Sequence, residues 1–190
     1  MKMKFIFAAA VGLFLATAAF AQKAPDFSGH WDLDVSKSKL DERARIQTMA
    51  LDVAQTANDI KIESKTTRAP RPEGAPAPGT GGGTGGGGGM GRGGGFGGGD
   101  TSSTYALDGK ETTLQQEGPN GPMPIKLKGK IEGGKLGLSR SSTFSGPNGE
   151  ITISTKETWS LSADGKILTV EREQSSPRGA VTSTLVFAKK

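Results

Sequence analysis

The stretch TWSLSADGKILTVERE, residues Thr158–Glu173, decides the fold of this chain. Apolar and polar residues alternate in Trp159–Leu161 and again in Leu168–Val170, on either side of the pair Asp164-Gly165. Alternation with a period of two indicates a half-buried β-strand, and Asp-Gly is a turn pair typical of β-hairpins. The stretch therefore predicts two antiparallel strands that share one buried face.

The same alternation recurs along the chain. Apolar residues at alternate positions mark further strands at Phe27–Val35, Met49/Leu51/Val53, Ile60/Ile62, Tyr105/Leu107, Ile125/Leu127, Leu136/Leu138, Ile151/Ile153 and Leu185/Phe187. Further turn pairs lie between them at Asn58-Asp59, Asp108-Gly109, Gly133-Gly134 and Asn148-Gly149. We predict an all-β, antiparallel up-and-down meander of about ten strands. Because an open meander exposes two edges, we expect it to close into a barrel. Only Lys39–Ile46 resembles a helix, of one or two turns.

The first 21 residues are typical of a secretory signal peptide. Lys2 and Lys4 precede an apolar run, which closes on the small-x-small pattern Ala19–Ala21. The run is short for a bilayer, so we expect cleavage and no integral membrane segment in the mature chain. Removal of the two lysines lowers the net charge from +5 to +3. The mature protein is expected to begin near Gln22 and to be exported, to the periplasm or beyond.

A proline- and glycine-rich tract interrupts the strands. We predict one β-barrel domain over residues 22–190, with a disordered loop at 69–100, because glycine supplies no apolar side chain to bury. Arg92 and Phe96 in this tract echo Arg/Gly-rich RNA-binding segments. The glycine-rich part, residues 81–100, has one arginine to neutralise phosphates and one phenylalanine, so we expect no nucleic acid partner.

Candidate chemistry is sparse. The chain has one histidine and no cysteine, and no nucleophile, zinc-protease or phosphate-loop motif occurs, so neither enzyme activity nor a cofactor is predicted. His30, Asp32 and Asp34 share one face of the first strand, which suggests either a metal site or a solvated outer face. We favour the solvated face and predict no metal. Trp159 and Tyr105 are interpreted as core aromatics.

Strand register points to one polar constellation. A two-residue turn at Asp164-Gly165 places Glu157 opposite Arg172, and one at Asn148-Gly149 places Arg140 opposite Glu157. The flanking apolar pairs put this row inside the barrel, with Glu157 shared between two arginines. An unpaired buried charge is unfavourable, so the row is expected near a wet mouth or at an anion-binding site.

The opening DFSGHWDLDVSKSK, Asp26–Lys39, and the closing segments TWSLSADGKILTVERE and TSTLVFAKK resemble the ends of secreted bacterial lipocalin-like proteins, a group largely uncharacterised in function. The resemblance implies a calycin-like barrel in which Gly29 and Trp31 match the G-x-W pattern and Trp31 closes the bottom. No convincing T-D-Y motif occurs, and the strand count is closer to the related fatty-acid-binding barrels.

Two functions remain open from the sequence. In the first, the barrel interior is expected to bind a small amphiphilic anion such as a fatty acid. Arg140, Glu157 and Arg172 are then the candidate ligand-binding residues. Alternatively, the barrel is packed and ligand-free, and acts as a structural or protein-interaction module of the cell envelope. Fold alone warrants neither.

Replacing Pro70–Gly99 by a short Gly/Ser turn is expected to leave the melting temperature nearly unchanged. The reason is that closing a long loop costs only slightly more entropy than closing a short one, and glycine offers the fold no packing. Calorimetry of both proteins measures the difference; a large loss of stability would show that the tract packs.

Overall fold

The alternating residues form ten β-strands in the computed structural model, which describes residues 24–41, 44–70, 100–118, 121–146, 149–177 and 179–190. The strands are β1 (Gly29–Leu33), β2 (Ile46–Gln55), β3 (Asp59–Arg68), β4 (Thr101–Ala106), β5 (Asp108–Gly118), β6 (Gly121–Glu132), β7 (Lys135–Gly146), β8 (Gly149–Leu161), β9 (Ile167–Ser176) and β10 (Gly179–Lys189). The predicted leader, and the proline- and glycine-rich tract from 71 to 99, lie outside the described residues.

The strands make one antiparallel sheet in the order β4-β3-β2-β1-β10-β9-β8-β7-β6-β5. Every neighbouring pair is consecutive in the chain except β1 and β10, which join its two ends through Trp31↔Lys189 and Leu33↔Phe187. The predicted antiparallel meander of about ten strands is therefore confirmed.

The sheet closes where its two edge strands, β4 and β5, approach each other. Gly129 on β6 lies directly under the end of β4: a Cβ atom there would be 2.8 Å from the Ala106 carbonyl oxygen. Arg140 on β7 reaches both edges, donating to Ser103 Oγ on β4 at 3.1 Å and to Gln116 Oε1 on β5 at 2.8 Å. Side chains and close packing thus complete a nearly closed barrel.

The hairpin predicted at Asp108-Gly109 is wrong. β4 ends at Ala106 and β5 begins at Asp108, but the two strands stand at opposite ends of the sheet order. The pairing of β5 with β6 is irregular between Asp108 and Glu111, and Gly109 has a φ of +77°. The Asp-Gly pair therefore belongs to an irregular start of β5.

The helix predicted over Lys39–Ile46 is also wrong at both ends. Lys39 exchanges two backbone hydrogen bonds with Thr184 on β10, and Ile46 begins β2. Within the predicted stretch, Ala44 N donates to the Asp41 carbonyl at 2.9 Å, which is the hydrogen bond of one 3-10 turn. A further 3-10 helix lies earlier, at Val35–Lys37, and its N-terminus is capped by Asp34. Among the described residues, no helix has the length and apolarity to cross a bilayer.

The inward faces form one apolar core. Its fully buried residues include Phe27, Trp31, Ile60, Ile125, Leu136, Leu168 and Phe187. Phe27 meets Trp159 edge to face, with the ring centroids 6.1 Å apart, and its carbonyl accepts the Trp31 indole N–H at 2.9 Å.

Gly29 has a φ of +136° and lies under Lys189, whose ammonium stands 5.1 Å from the centre of the Trp31 ring. Trp31 on β1 is thus fully buried, with Lys189 of β10 beside its ring. The barrel-closing role of Gly29 and Trp31 stays a prediction.

Gly129→Ala is expected to lower the free energy of unfolding by about 1–3 kcal/mol, because the new methyl group overlaps the Ala106 carbonyl and pushes β4 away. Gly137→Ala on the neighbouring strand β7 is the matched control, since the nearest atom to its added Cβ is 3.8 Å away. Urea unfolding measures both variants. Equal stability of the two would contradict closure at Gly129.

Candidate functional site

A cavity of about 120 Å³ lies inside the barrel. Its apolar lining consists of Ile46, Met49, Leu51, Ile62, Leu138 and Trp159, and its charged lining consists of Arg68, Arg140, Glu157 and Arg172. The three residues predicted to form an inner row are therefore brought together in one cavity. Arg68 was not among the residues predicted from the sequence.

The predicted register between β8 and β9 is confirmed. Glu157 stands opposite Arg172, and Arg172 Nε donates to Glu157 Oε1 at 2.7 Å. The side chains are 15 % and 27 % exposed, so this ion pair is partly shielded from water. The connection is longer than the two residues predicted, because the hydrogen bond from Ser162 N to the Ile167 carbonyl encloses four residues.

The predicted register between β7 and β8 is wrong by two residues. Arg140 stands opposite Thr155, not Glu157, because the last pair before the turn is Gly146 with Gly149. The connection is therefore Pro-Asn, one position earlier than the predicted Asn-Gly pair. Side chains alternate with a period of two, so a slip of two residues keeps every side chain on its face. Arg140 lines the cavity for this reason.

Glu157 is held by Arg172 and by an indole. Trp159 Nε1 donates to Glu157 Oε2 at 2.7 Å, so each carboxylate oxygen accepts one hydrogen bond. Trp159 is 2 % exposed, which confirms it as a core aromatic. Arg140 donates to Ser103 and Gln116, and the sharing of Glu157 between two arginines stays a prediction. The alternation along β8 places Glu157 and Trp159 on the same face of the strand, but it does not indicate that their side chains form a hydrogen bond.

Tyr105 on β4 also belongs to the cavity. It is 8 % exposed, as expected of a core aromatic, and it lines the cavity together with the charged groups. Burial, followed by the negative charge of Glu157, raises the pKa of Tyr105 to about 12, against the opposing charges of Arg140 and Arg172. The phenol is therefore neutral at physiological pH and keeps its proton for donation.

The cavity carries a surplus of positive charge. Among the described residues, three arginines and one glutamate line it, and no aspartate or lysine does. Ser103, Tyr105 and Thr155 add hydroxyl groups near the arginines. Guanidinium groups and hydroxyls are the donors that bind carboxylate and other oxyanions. The arrangement can hold an anion with an apolar extension.

His30 lies outside the cavity, on the exposed face of β1. Its Nδ1 is 2.6 Å from Asp52 Oδ1 and its Nε2 is 3.2 Å from Asp32 Oδ1. Asp34, the third residue of the suggested metal set, instead accepts hydrogen bonds from the backbone of Ser36 and Lys37. Within the described ranges, no cluster of three or more His, Cys, Asp or Glu residues is arranged to hold a metal ion.

Comparison with known proteins identifies no family. No family model matches the chain, and no curated protein matches it in sequence. One solved structure similar in shape is the zebrafish ileal bile acid-binding protein in complex with cholic acid. Its TM-score is 0.46 at 16 % identity, over 86 % of this chain and 98 % of that one.

His30 is expected to titrate above its ordinary value, because its hydrogen bond with Asp52 raises its pKa. A histidine whose folded pKa is raised stabilises the protein fully below the unfolded value of about 6.5. That contribution is lost as the pH rises through the raised pKa. NMR titration of the imidazole, with unfolding measured over the same pH range, tests this.

Asp52→Asn removes the main cause and is expected to return the His30 pKa toward its ordinary value. Asp59→Asn, at an exposed position on β3, is the control and leaves it raised. An unchanged pKa in Asp52→Asn would rule out this ion pair as the cause.

Proposed function

We propose that the barrel binds a small amphiphilic anion, such as a short fatty acid. Its carboxylate lies against Arg140 and Arg172, and its apolar part contacts the aliphatic side of the cavity. The observation that carries this proposal is the surplus of arginine over carboxylate among the lining residues. A half-shielded positive charge without a full complement of acids attracts an anion more strongly than a charge in bulk water does.

The hydrogen bonds of Arg140 and Arg172 indicate that the two arginines contribute to the site in different ways. Arg172 gives its Nε–H to Glu157, so the rest of its guanidinium is the part that faces a ligand. Arg140 is held in place by Ser103 and Gln116, which fixes its orientation. Tyr105, neutral and beside both, is a further donor to a bound carboxylate. These donors form a preorganised set, which reduces the entropy lost on binding.

The size of the cavity restricts the ligand. Its volume of about 120 Å³ is well below the roughly 300–1,000 Å³ of pockets that enclose a drug-sized ligand. The ligand is therefore small, or only its head group and first carbons enter. Met49 and Leu51, which line the cavity, belong to the apolar side that such a chain contacts.

The second candidate is a packed barrel without a ligand, acting as a structural or interaction module. It is favoured by the small volume and by the hydrogen bonds that the charged groups already make within the protein. Glu157 accepts a bond on each oxygen, and Arg140 donates to two side chains. The two candidates predict different results for substitutions of Arg172 and Glu157. A ligand-binding barrel changes its affinity for the ligand, whereas a packed barrel binds none and changes only its stability.

We also infer that the protein works outside the cytoplasm. The charged start, apolar run and small-residue end of Met1–Ala21 support export, and the lack of cysteine is compatible with an oxidising compartment. Binding is preferred to catalysis because the single histidine does not line the cavity.

Arg172→Met is expected to weaken octanoate binding by about 1.5–3 kcal/mol, which is at least tenfold, because a charge-assisted hydrogen bond to the carboxylate is lost. Glu157→Met is expected to act in the opposite direction. It frees Arg172 from its internal partner, so octanoate binds more tightly, while the empty protein loses about 1–3 kcal/mol of stability. Isothermal calorimetry and urea unfolding of the purified chain measure these effects.

Lys156→Met is the matched control, because it removes one positive charge from the exposed face of the strand that carries Glu157. It is expected to bind octanoate like the parent protein. Octanol, which lacks the charge, is expected to bind all four proteins alike. Absence of octanoate binding, with no rescue of Glu157→Met by octanoate, would establish the packed barrel instead.

A further inference from the structure

Two arginines lie together beside one end of the cavity. Arg45 directly precedes β2, and Arg68 is the last residue of β3. The sheet holds them side by side, because Arg68 is the register partner of Ile46 and the Ala69 N–H donates to the Arg45 carbonyl at 2.9 Å. Two adjacent positive charges repel each other, so this arrangement is unfavourable without a counter-ion.

The backbone and side chain of Arg45 add to this cost. Its φ is +49°, and it is the only non-glycine residue with a positive φ in the part of the chain that the structure describes. Left-handed backbone is strained for a residue with a Cβ atom, and such strain concentrates at functional sites. Its Nη1 atom is buried and has no hydrogen-bond partner among the described residues. A buried donor without an acceptor is destabilising.

Arg68 links this pair to the cavity. It lines the cavity together with Thr66 and Thr101, whose hydroxyls add donors at the same end. The side chain of Arg68 is largely exposed, and its partial burial, followed by the charge of Arg45, lowers its pKa. Within the described ranges, neither arginine forms an ion pair with an acidic side chain.

We propose that Arg45 and Arg68 bind an oxyanion of the phosphate class at the rim of the cavity. Planar guanidinium groups match phosphate oxygens in a bidentate manner, and two of them neutralise a dianion better than one. The bound anion supplies an acceptor to the buried Nη1 of Arg45 and removes the repulsion between the arginines. This site uses residues other than Arg140 and Arg172, so it stands whether or not the proposed carboxylate site exists.

The experiment is a calorimetric titration of the purified full chain with inorganic phosphate, at constant ionic strength set by chloride. Arg68→Met and Arg45→Gly are each expected to weaken phosphate binding at least about tenfold, the effect of losing a charge-assisted bond. Glycine is chosen at residue 45 because it adopts a positive φ without strain. Lys128→Met, on the exposed outer face of β6, is the charge-matched control and is expected to change binding less than about twofold.

Stability gives a second readout. Without phosphate, Arg45→Gly is expected to unfold at an equal or higher urea concentration than the parent, because strain and repulsion are removed together. Phosphate is expected to raise the midpoint of the parent and of Arg172→Met, but not that of Arg45→Gly. This separates the rim site from the carboxylate site, which depends on Arg172.

A titration with octyl phosphate distinguishes a lipid head group from free phosphate as the anion that the site binds. Binding at least tenfold tighter than inorganic phosphate identifies a lipid head group, and equal binding identifies free phosphate; both support the site. Phosphate affinity that is unchanged in Arg68→Met and Arg45→Gly would overturn the proposal. So would a loss of stability in phosphate-free Arg45→Gly, since Arg45 would then serve the fold alone.

Discussion

Closure of the sheet between β4 and β5 is the constraint on which the interior depends. These strands are the two edges of the sheet order, and no backbone ladder joins them. The end of β4 instead rests on Gly129, and Arg140 spans to Ser103 and Gln116 on the two edges. An unclosed edge would expose unpaired backbone groups and open the core to water. One arginine therefore serves both the closure of the barrel and the chemistry of its cavity.

The charged groups in and beside the cavity differ in the hydrogen-bond and ion-pair partners that they have within the protein. Glu157 accepts one hydrogen bond on each carboxylate oxygen, from Arg172 and from Trp159, so it belongs to the core as well as to the cavity. Arg45 and Arg68 have no comparable acid among the described residues, and Arg68, which lines the cavity, is exposed. Arg140 and Arg172 each donate to at least one acceptor within the protein, so these two cavity arginines are not left without a partner. The proposed anion binding depends on the positive charge of the cavity.

Particular residues show how far sequence reasoning reaches. The pairing of Glu157 with Arg172 was predictable, because a short connection between two alternating strands fixes their register. The pairing of β7 with β8 slipped by two residues, because a Pro-Asn-Gly segment offers two adjacent positions for the turn. The slip left Arg140 on the inner face, since only an odd shift exchanges the faces. Its bonds to Ser103 and Gln116 had no signal in the sequence, as they join residues 37 and 24 positions away.

What the sequence determined by itself is therefore the class of structure and the sidedness of its strands. Alternation of apolar and polar residues is a local property, so it identifies ten strands and their inner faces without knowledge of their neighbours. Only the tertiary structure decided how the sheet closes, which charges share a cavity and where Arg45 meets Arg68. These depend on the curvature of the whole sheet, which brings distant strands within hydrogen-bond range and which no single stretch of the chain encodes.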